Sequence, residues 1–366
     1  MSPLETFFRP SPWLGQVAVC YWAVACLCMA ALVVHVFLPW TRRGDTSPAR
    51  PSVWFLALTL LTIFAFRWPI FFYGLGAYYN NVDECQMIAG ALTLLRDAVP
   101  WRSVDPTTTG PLDHFVLLLP RLVGAPIGLG STRIVAALLA WGMVAGSYLT
   151  LRAGVSERAA RLGALSALLF FATFFHIEYQ TYASEQLPLC LHGLAGWMLF
   201  SALRRDAGER SRIWRLALCG VLLGAVPFAK LQVAPLAAWS GLFGLVCLAL
   251  TTAVSWKRRL VEMGTLVAGA LTVPVALLAV VLGHGEWNTF WTSYVVNSIT
   301  YVNTVPPNPL LDYLDVFSSS PPNWRFYLFP LVYGILALAV LPALSVRARR
   351  LAFYALGVLG MATIAM

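Results

Sequence analysis

The sequence predicts an all-α polytopic membrane protein with about ten transmembrane helices. Three observations predict it. Hydrophobic residues make up 59% of the 366-residue chain and charged residues 11%, with a mean hydropathy of +0.73. That leaves too little polar surface to cover ordinary soluble domains. Most basic residues fall in short clusters between long apolar runs: Arg42, Arg43 and Arg50; Arg152, Arg158 and Arg161; Arg204, Arg205, Arg210, Arg212 and Arg215; Lys257, Arg258 and Arg259; and Arg347, Arg349 and Arg350. The acids gather in the alternate connections, with Asp83, Glu84, Asp97, Asp105, Asp113, Glu178, Glu185, Glu286, Asp312 and Asp315 on the face opposite the basic clusters. A net charge of +9 distributed in this way is a positive-inside pattern. A duplex binder would instead gather its cations on one solvated face, so no nucleic-acid partner is expected.

A bilayer core takes about 20 apolar residues per helix, which places spans at 14–40, 53–76, 131–151, 162–176, 187–203, 214–230, 233–255, 260–283, 326–346 and from 351 onward. With the basic clusters cytoplasmic, segments 77–130, 177–186, 227–235 and 284–325 face outward. Helical bundles favour short connections, so the long segments 77–130 and 284–325 are expected to carry function. The N-terminus has neither a basic n-region nor a small-residue cleavage site, so the first apolar stretch is expected to stay as an anchor. The last span from 351 is short, which predicts a short final helix or a truncated chain. Cys20, Cys26, Cys28, Cys190, Cys219 and Cys247 lie in apolar runs and Cys85 in a polar loop, so no disulfide framework or metal cluster is expected.

Within the first external segment, Met87, Ile88, Ala91, Leu92 and Leu95 repeat at helical spacing, predicting a helix from Val82 to Leu95 lying along the membrane surface. Asp83 and Glu84 begin it. On spacing alone, Asn81 with Glu84 three residues on makes a capping box and Asp83 favours the helix dipole.

The motifs of this segment add a further reading. Asp83-Glu84, Trp101-Arg102, Gly110-Pro111-Leu112, the apolar stretch Phe115 to Val123, and Ser131-Thr132-Arg133 with Ala136 together resemble the GT-C glycosyltransferases. The nearer likeness is to the branch of protein O-mannosyltransferases, aminoarabinose transferases and lipopolysaccharide-core transferases. Ala183-Ser184-Glu185-Gln186-Leu187 resembles that branch's acidic residue heading a span, and Phe228-Ala229-Lys230-Leu231-Gln232 its short cationic break between spans. The resemblance divides the chain into an extra N-terminal span with a cytoplasmic loop (1–52), a GT-C-like catalytic membrane core (53–255) and C-terminal spans with an external loop (256–366).

The resemblance implies a sugar moved with inversion from a polyprenyl-phosphate donor to a hydroxyl of an extracytoplasmic glycolipid, polysaccharide or protein, at a bacterial plasma membrane. Such chemistry needs a carboxylate to take the acceptor proton and cations to hold the departing phosphate. Asp83 is then the expected base, and Glu84 a supporting acid or a cap. Lys230, between Pro227 and Pro235, is the first candidate for the phosphate, because an intramembrane lysine costs about 2.5–3.5 kcal/mol and calls for a purpose; snorkelling to outer headgroups is its other reading. Arg67, Arg133 and Arg102 are further phosphate candidates, with anchoring at the interface as the alternative. Glu185 and Glu178 are candidates for orienting the acceptor or a metal. A divalent cation (Mg, Mn or Zn) held by Asp83 and Glu185 is left open. His176 and Glu178 sit at i and i+2, which do not share a helix face, and this argues against a metal pair there. The aromatic and Asn-rich segment 284–325 suits sugar rings or an interface belt, and is placed to cover Asp83 as a lid. The alternative function is a transporter or flippase for a lipid-linked or small polar substrate, which would predict paired repeats that the sequence does not display.

Overall fold

The structure is a computed structural model, and it describes residues 14–37, 52–72, 81–106, 109–173, 180–204, 208–251, 254–304 and 346–365. The protein is mostly helical, and no strand forms among the described residues. Lipid offers backbone groups no hydrogen-bonding partner, so apolar chain of this kind satisfies its own N–H and C=O groups in helices.

In chain order the helices are α1 (Leu14–Phe37), α2 (Val53–Phe72), α3 (Val82–Leu94), α4 (Pro111–Val116), α5 (Leu119–Leu122), α6 (Leu129–Gly154), α7 (Glu157–Thr173), α8 (Gln186–Ala202), α9 (Glu209–Ala229), α10 (Ala234–Ala249), α11 (Trp256–Gly283), the single turn α12 (Trp287–Thr289), α13 (Asn297–Thr304) and α14 (Val346–Ala365). A 3-10 turn, Leu231–Val233, precedes α10, and a π-helix, Phe290–Val296, joins α12 to α13. Among the described residues, four helical segments are long and apolar enough to cross a membrane: Leu129–Gly154, Glu209–Ala229, Leu231–Ala249 and Trp256–Gly283. Shorter apolar stretches occupy Ala23–Val36 and Val53–Trp68. The expected span at 326–346 lies outside the described residues, as do Asp312 and Asp315.

Small residues set the closest helix contacts. At Gly220 and Gly224 of α9 a Cβ would collide with the backbone of α11 at Leu266 and Ala270, and at Gly269 of α11 it would collide with the Ala217 carbonyl. Gly146 of α6 meets the backbone of Gly193 in α8 in the same way. Helices in lipid gain little from hydrophobic exclusion, so van der Waals contact between backbones of this kind takes its place.

The two ends of the bundle differ. At one, Glu157 accepts from Arg161 (2.7 Å) and Tyr148 (2.6 Å), while the Arg161 guanidinium also reaches the His35 carbonyl (3.0 Å). Buried Glu262 pairs there with Arg212 (2.8 Å) and Arg258 (3.2 Å). These are residues of the basic clusters, tied to the few acids on their side. The opposite end gathers α3, α4, the turn before α8, the end of α9 and the π-helix.

Candidate functional site

Helix α3 is fixed to the bundle by a buried pair. Glu84 is fully buried and Arg133, in the first turns of α6, is 2% exposed. The Arg133 Nε lies 3.2 and 3.1 Å from the two Glu84 carboxylate oxygens and Nη2 lies 2.9 Å from Oε2, while the Tyr182 N–H donates to Oε1 at 3.1 Å. Burial pushes the Glu84 carboxyl up, and the Arg133 guanidinium and the Tyr182 N–H pull it back. This corrects two expectations. Glu84 does not fold back as the second half of a capping box, and Arg133 meets a carboxylate rather than standing open to a phosphate. Asn81 alone caps α3, accepting from the Asp83 N–H at 3.0 Å and donating to Thr181 at 3.1 Å. Asp83 sits beside Glu84 but is exposed.

A second cluster forms where α9 ends. Lys230 adopts extended backbone (φ −153°, ψ 120°), which stops α9 before the 3-10 turn. The last carbonyls of a helix lack intrahelical partners; that of Ala229 is met by the Gly110 N–H at 2.6 Å. A Cβ on Gly110 would collide with the Phe228 and Ala229 carbonyls, so the Gly110-Pro111 step is what allows the chain leading into α4 to cap α9. Pro111 then opens α4 with the fixed φ suited to a first helical turn. The Lys230 ammonium donates to Ser184 Oγ at 2.9 Å and pairs with Glu185, whose side chain is 53% exposed against 17% for Lys230.

Beneath that pair lies Asp113, fully buried on α4. Its Oδ1 accepts the Tyr182 hydroxyl at 2.7 Å, and its Oδ2 is buried with no hydrogen-bond partner among the described residues. Burial pushes its carboxyl well above the usual carboxylate range, against the Tyr182 hydroxyl and the Lys230 ammonium, with Glu185 adding to the rise. The Tyr182 hydroxyl is likewise raised, first by burial and then by Asp113.

Trp101 packs against the late helices near the end of α9. Its φ of 65° is the left-handed conformation that a bulky residue adopts only when its surroundings impose it, at about 1–3 kcal/mol. The ring packs on Phe290 (4.9 Å) and Tyr294 (5.5 Å) of the π-helix, and the Tyr294 hydroxyl donates to the Pro227 carbonyl near the end of α9. The described part of the late loop therefore covers Trp101 and the end of α9, rather than Asp83 as expected; residues 305–325 lie outside the described residues.

The remaining candidates are dispersed. Arg102 is exposed and pairs with Asp97, which also accepts from Ser103 at 2.6 Å; the Arg102 guanidinium holds the Asp97 carboxyl below the usual range. It braces its own turn instead of meeting Lys230. Arg67 is fully buried in α2 and donates Nε and Nη2 to the Phe171 carbonyl in the last turn of α7 (3.3 and 3.2 Å), where a helix end needs donors. Glu178 lies outside the described residues. No group of three or more His, Cys, Asp or Glu suited to a metal ion occurs among the described residues, and Glu185 is engaged with Lys230. From sequence, Asp113 stands only among the acids of its face and Ser184 only within the motif around Glu185, and neither they nor Tyr182 read as site residues. The available signal was an acid directly after Gly110-Pro111-Leu112 at the head of an otherwise apolar stretch. Comparisons with protein-family models, with curated proteins and with solved structures find no match.

Proposed function

We propose that the protein is an integral membrane glycosyltransferase that moves a sugar from a polyprenyl-phosphate donor to a hydroxyl of an extracytoplasmic acceptor. The observation that carries this reading is the division of labour in the Asp83-Glu84 pair. Glu84 is buried and neutralised by Arg133, while Asp83, one residue earlier on the same rigid turn, is exposed. A base must be held in place and must also reach its proton, and one anchored and one open carboxylate meet both demands.

In this reading Asp83 takes the proton of the acceptor hydroxyl as its oxygen attacks the sugar carbon. The bond from that carbon to the phosphate oxygen breaks, and the leaving lipid phosphate is stabilised by the Lys230 ammonium. Glu185, more exposed than Lys230 and paired with it, is the group a phosphate would displace. Glu84 and Arg133 hold the base, and Arg102 and Arg67 have structural partners. The acceptor is a glycolipid, polysaccharide or protein of the envelope, and a bacterial plasma membrane is the setting.

The test is mass spectrometry of envelope glycans from a deletion strain carrying wild type or Asp83→Asn at matched membrane abundance. One sugar is expected to disappear on deletion, return with wild type and stay absent with the variant, through a rate loss of about 10²-fold or more. Full restoration by Asp83→Asn would remove Asp83 as the base, and no glycan change on deletion would point to transport of a lipid-linked substrate instead.

A further inference from the structure

The Lys230 ammonium is not placed by α9 alone. The Gly110 N–H binds the carbonyl of Ala229, the residue before Lys230. Three residues along α4, Asp113 accepts the Tyr182 hydroxyl. Two residues after Tyr182, Ser184 accepts from Lys230, and Glu185 pairs with it. These contacts close a ring through α4, the turn before α8 and the end of α9.

We propose that Asp113 is a further positioning residue of this site, fixing the Lys230 ammonium through Tyr182 and Ser184 at the point where a lipid phosphate meets it. The inference rests on the reading of Lys230 as the phosphate cation. Asp113 performs this role as an uncharged acid. An ionised carboxylate in that position would be wholly buried with one hydroxyl as its only hydrogen-bond donor, far short of what a buried charge requires. It would also compete with the phosphate for Lys230. The groups that face Asp113 are Lys230, Glu185, Tyr182 and Tyr294. Only Lys230 among them is cationic, and its ammonium is directed to Ser184 and Glu185.

The experiment measures binding of farnesyl monophosphate to the full chain in detergent, across pH, for wild type and variants that keep a monodisperse profile. Lys230→Ala is expected to weaken binding about 10- to 100-fold, the scale of a lost charge-assisted hydrogen bond. Tyr182→Phe should weaken it about 2- to 10-fold. Asp113→Leu, which leaves the Tyr182 hydroxyl without its acceptor, should weaken it by a similar factor, and Asp113→Asn, which still offers Tyr182 a carbonyl, should recover that loss at neutral pH. It should also lack the alkaline fall that wild type shows as Asp113 loses its proton. A merely structural Asp113 would not move that pH limb. The inference is overturned if Asp113→Asn loses as much affinity as Lys230→Ala, or if it keeps the wild-type alkaline limb. If Lys230→Ala binds as wild type does, the phosphate-site reading falls with it; dependence on Lys230 together with wild-type binding by both Tyr182→Phe and Asp113→Leu overturns the inference alone.

Discussion

At the scale of single residues, the Glu84–Arg133 pair shows how charge is tolerated in a buried position. Each group would be prohibitive alone; together, with the Tyr182 N–H, they satisfy one another. Removing one partner strands the other, so Arg133→Met is expected to cost about 3–5 kcal/mol. Adding Glu84→Gln to that variant should restore part of the loss, and thermal unfolding in detergent reads both. Asp113 gives a different signature. Its carboxyl binds a proton more tightly in the folded chain than in the unfolded one, so its contribution to stability is complete below the ordinary carboxylate range and falls as pH rises toward the folded value. The slope for one proton is at most about 1.4 kcal/mol per pH unit. Asp113→Asn should flatten that decline, as followed by unfolding temperature from pH 4 upward. Lys230 and Glu185 were legible as site candidates because charge beside apolar spans is costly. The partners were not: that Glu84 would meet Arg133 and not its own helix cap depends on tertiary contact, which periodicity does not encode. Asp113 was hidden by its neighbours, since a lone acid at the start of a helix reads as a dipole-favouring residue.

Among the elements, α9 carries two kinds of information. Its middle is smooth, with Gly220 and Gly224 pressed against α11; its last turns contain Pro227, and it stops at the extended Lys230. Gly220→Val or Gly224→Val is expected to force α9 and α11 apart at about 1–3 kcal/mol. Gly264→Val on α11 has open space around it and should change stability by less than about 0.5 kcal/mol. The comparison can be read from unfolding of the three variants side by side. Helix positions were visible from apolar runs: 187–203 and 214–230 are filled by Gln186–Ala202 and Glu209–Ala229. Their ends were less so. The run 260–283 is entered from Trp256, because a helix starts in the basic connection before its apolar part begins. The π-helix Phe290–Val296 had no counterpart in the pattern, since it follows from the packing of Trp101 and Tyr294 and not from spacing.

Across the whole molecule, the separation of acids from bases seen in the sequence becomes a difference between two ends. Glu157 and Glu262 hold the basic clusters at one, and Asp83, Asp113 and Glu185 stand at the other. Cys85 is exposed beside Glu84, whereas Cys190, Cys219 and Cys247 are buried. With the orientation expected from the charge pattern, a membrane-impermeant maleimide added to intact cells should label Cys85. Arg210→Cys in a chain with Cys85→Ser should react only after the bilayer that holds the protein is opened. Labelling of the Arg210→Cys position but not of Cys85 before opening would reverse that orientation.

The bond from Gly110 to Ala229 also sets an order of events. Segments far apart in the chain meet there, as do Glu84 with Tyr182 and Asp113 with Tyr182. Synthesis at about 5–20 residues per second leaves a wait on the order of ten seconds between emergence of the two partners. Through that interval the Gly110 N–H has no Ala229 carbonyl to meet, although Tyr182, made before α9, is already available to Asp113. A nascent chain halted before α9 would carry the Glu84–Arg133 anchor and the Asp113–Tyr182 bond but no helix end for Gly110 to cap, and so would present quality-control proteases with a half-docked α4.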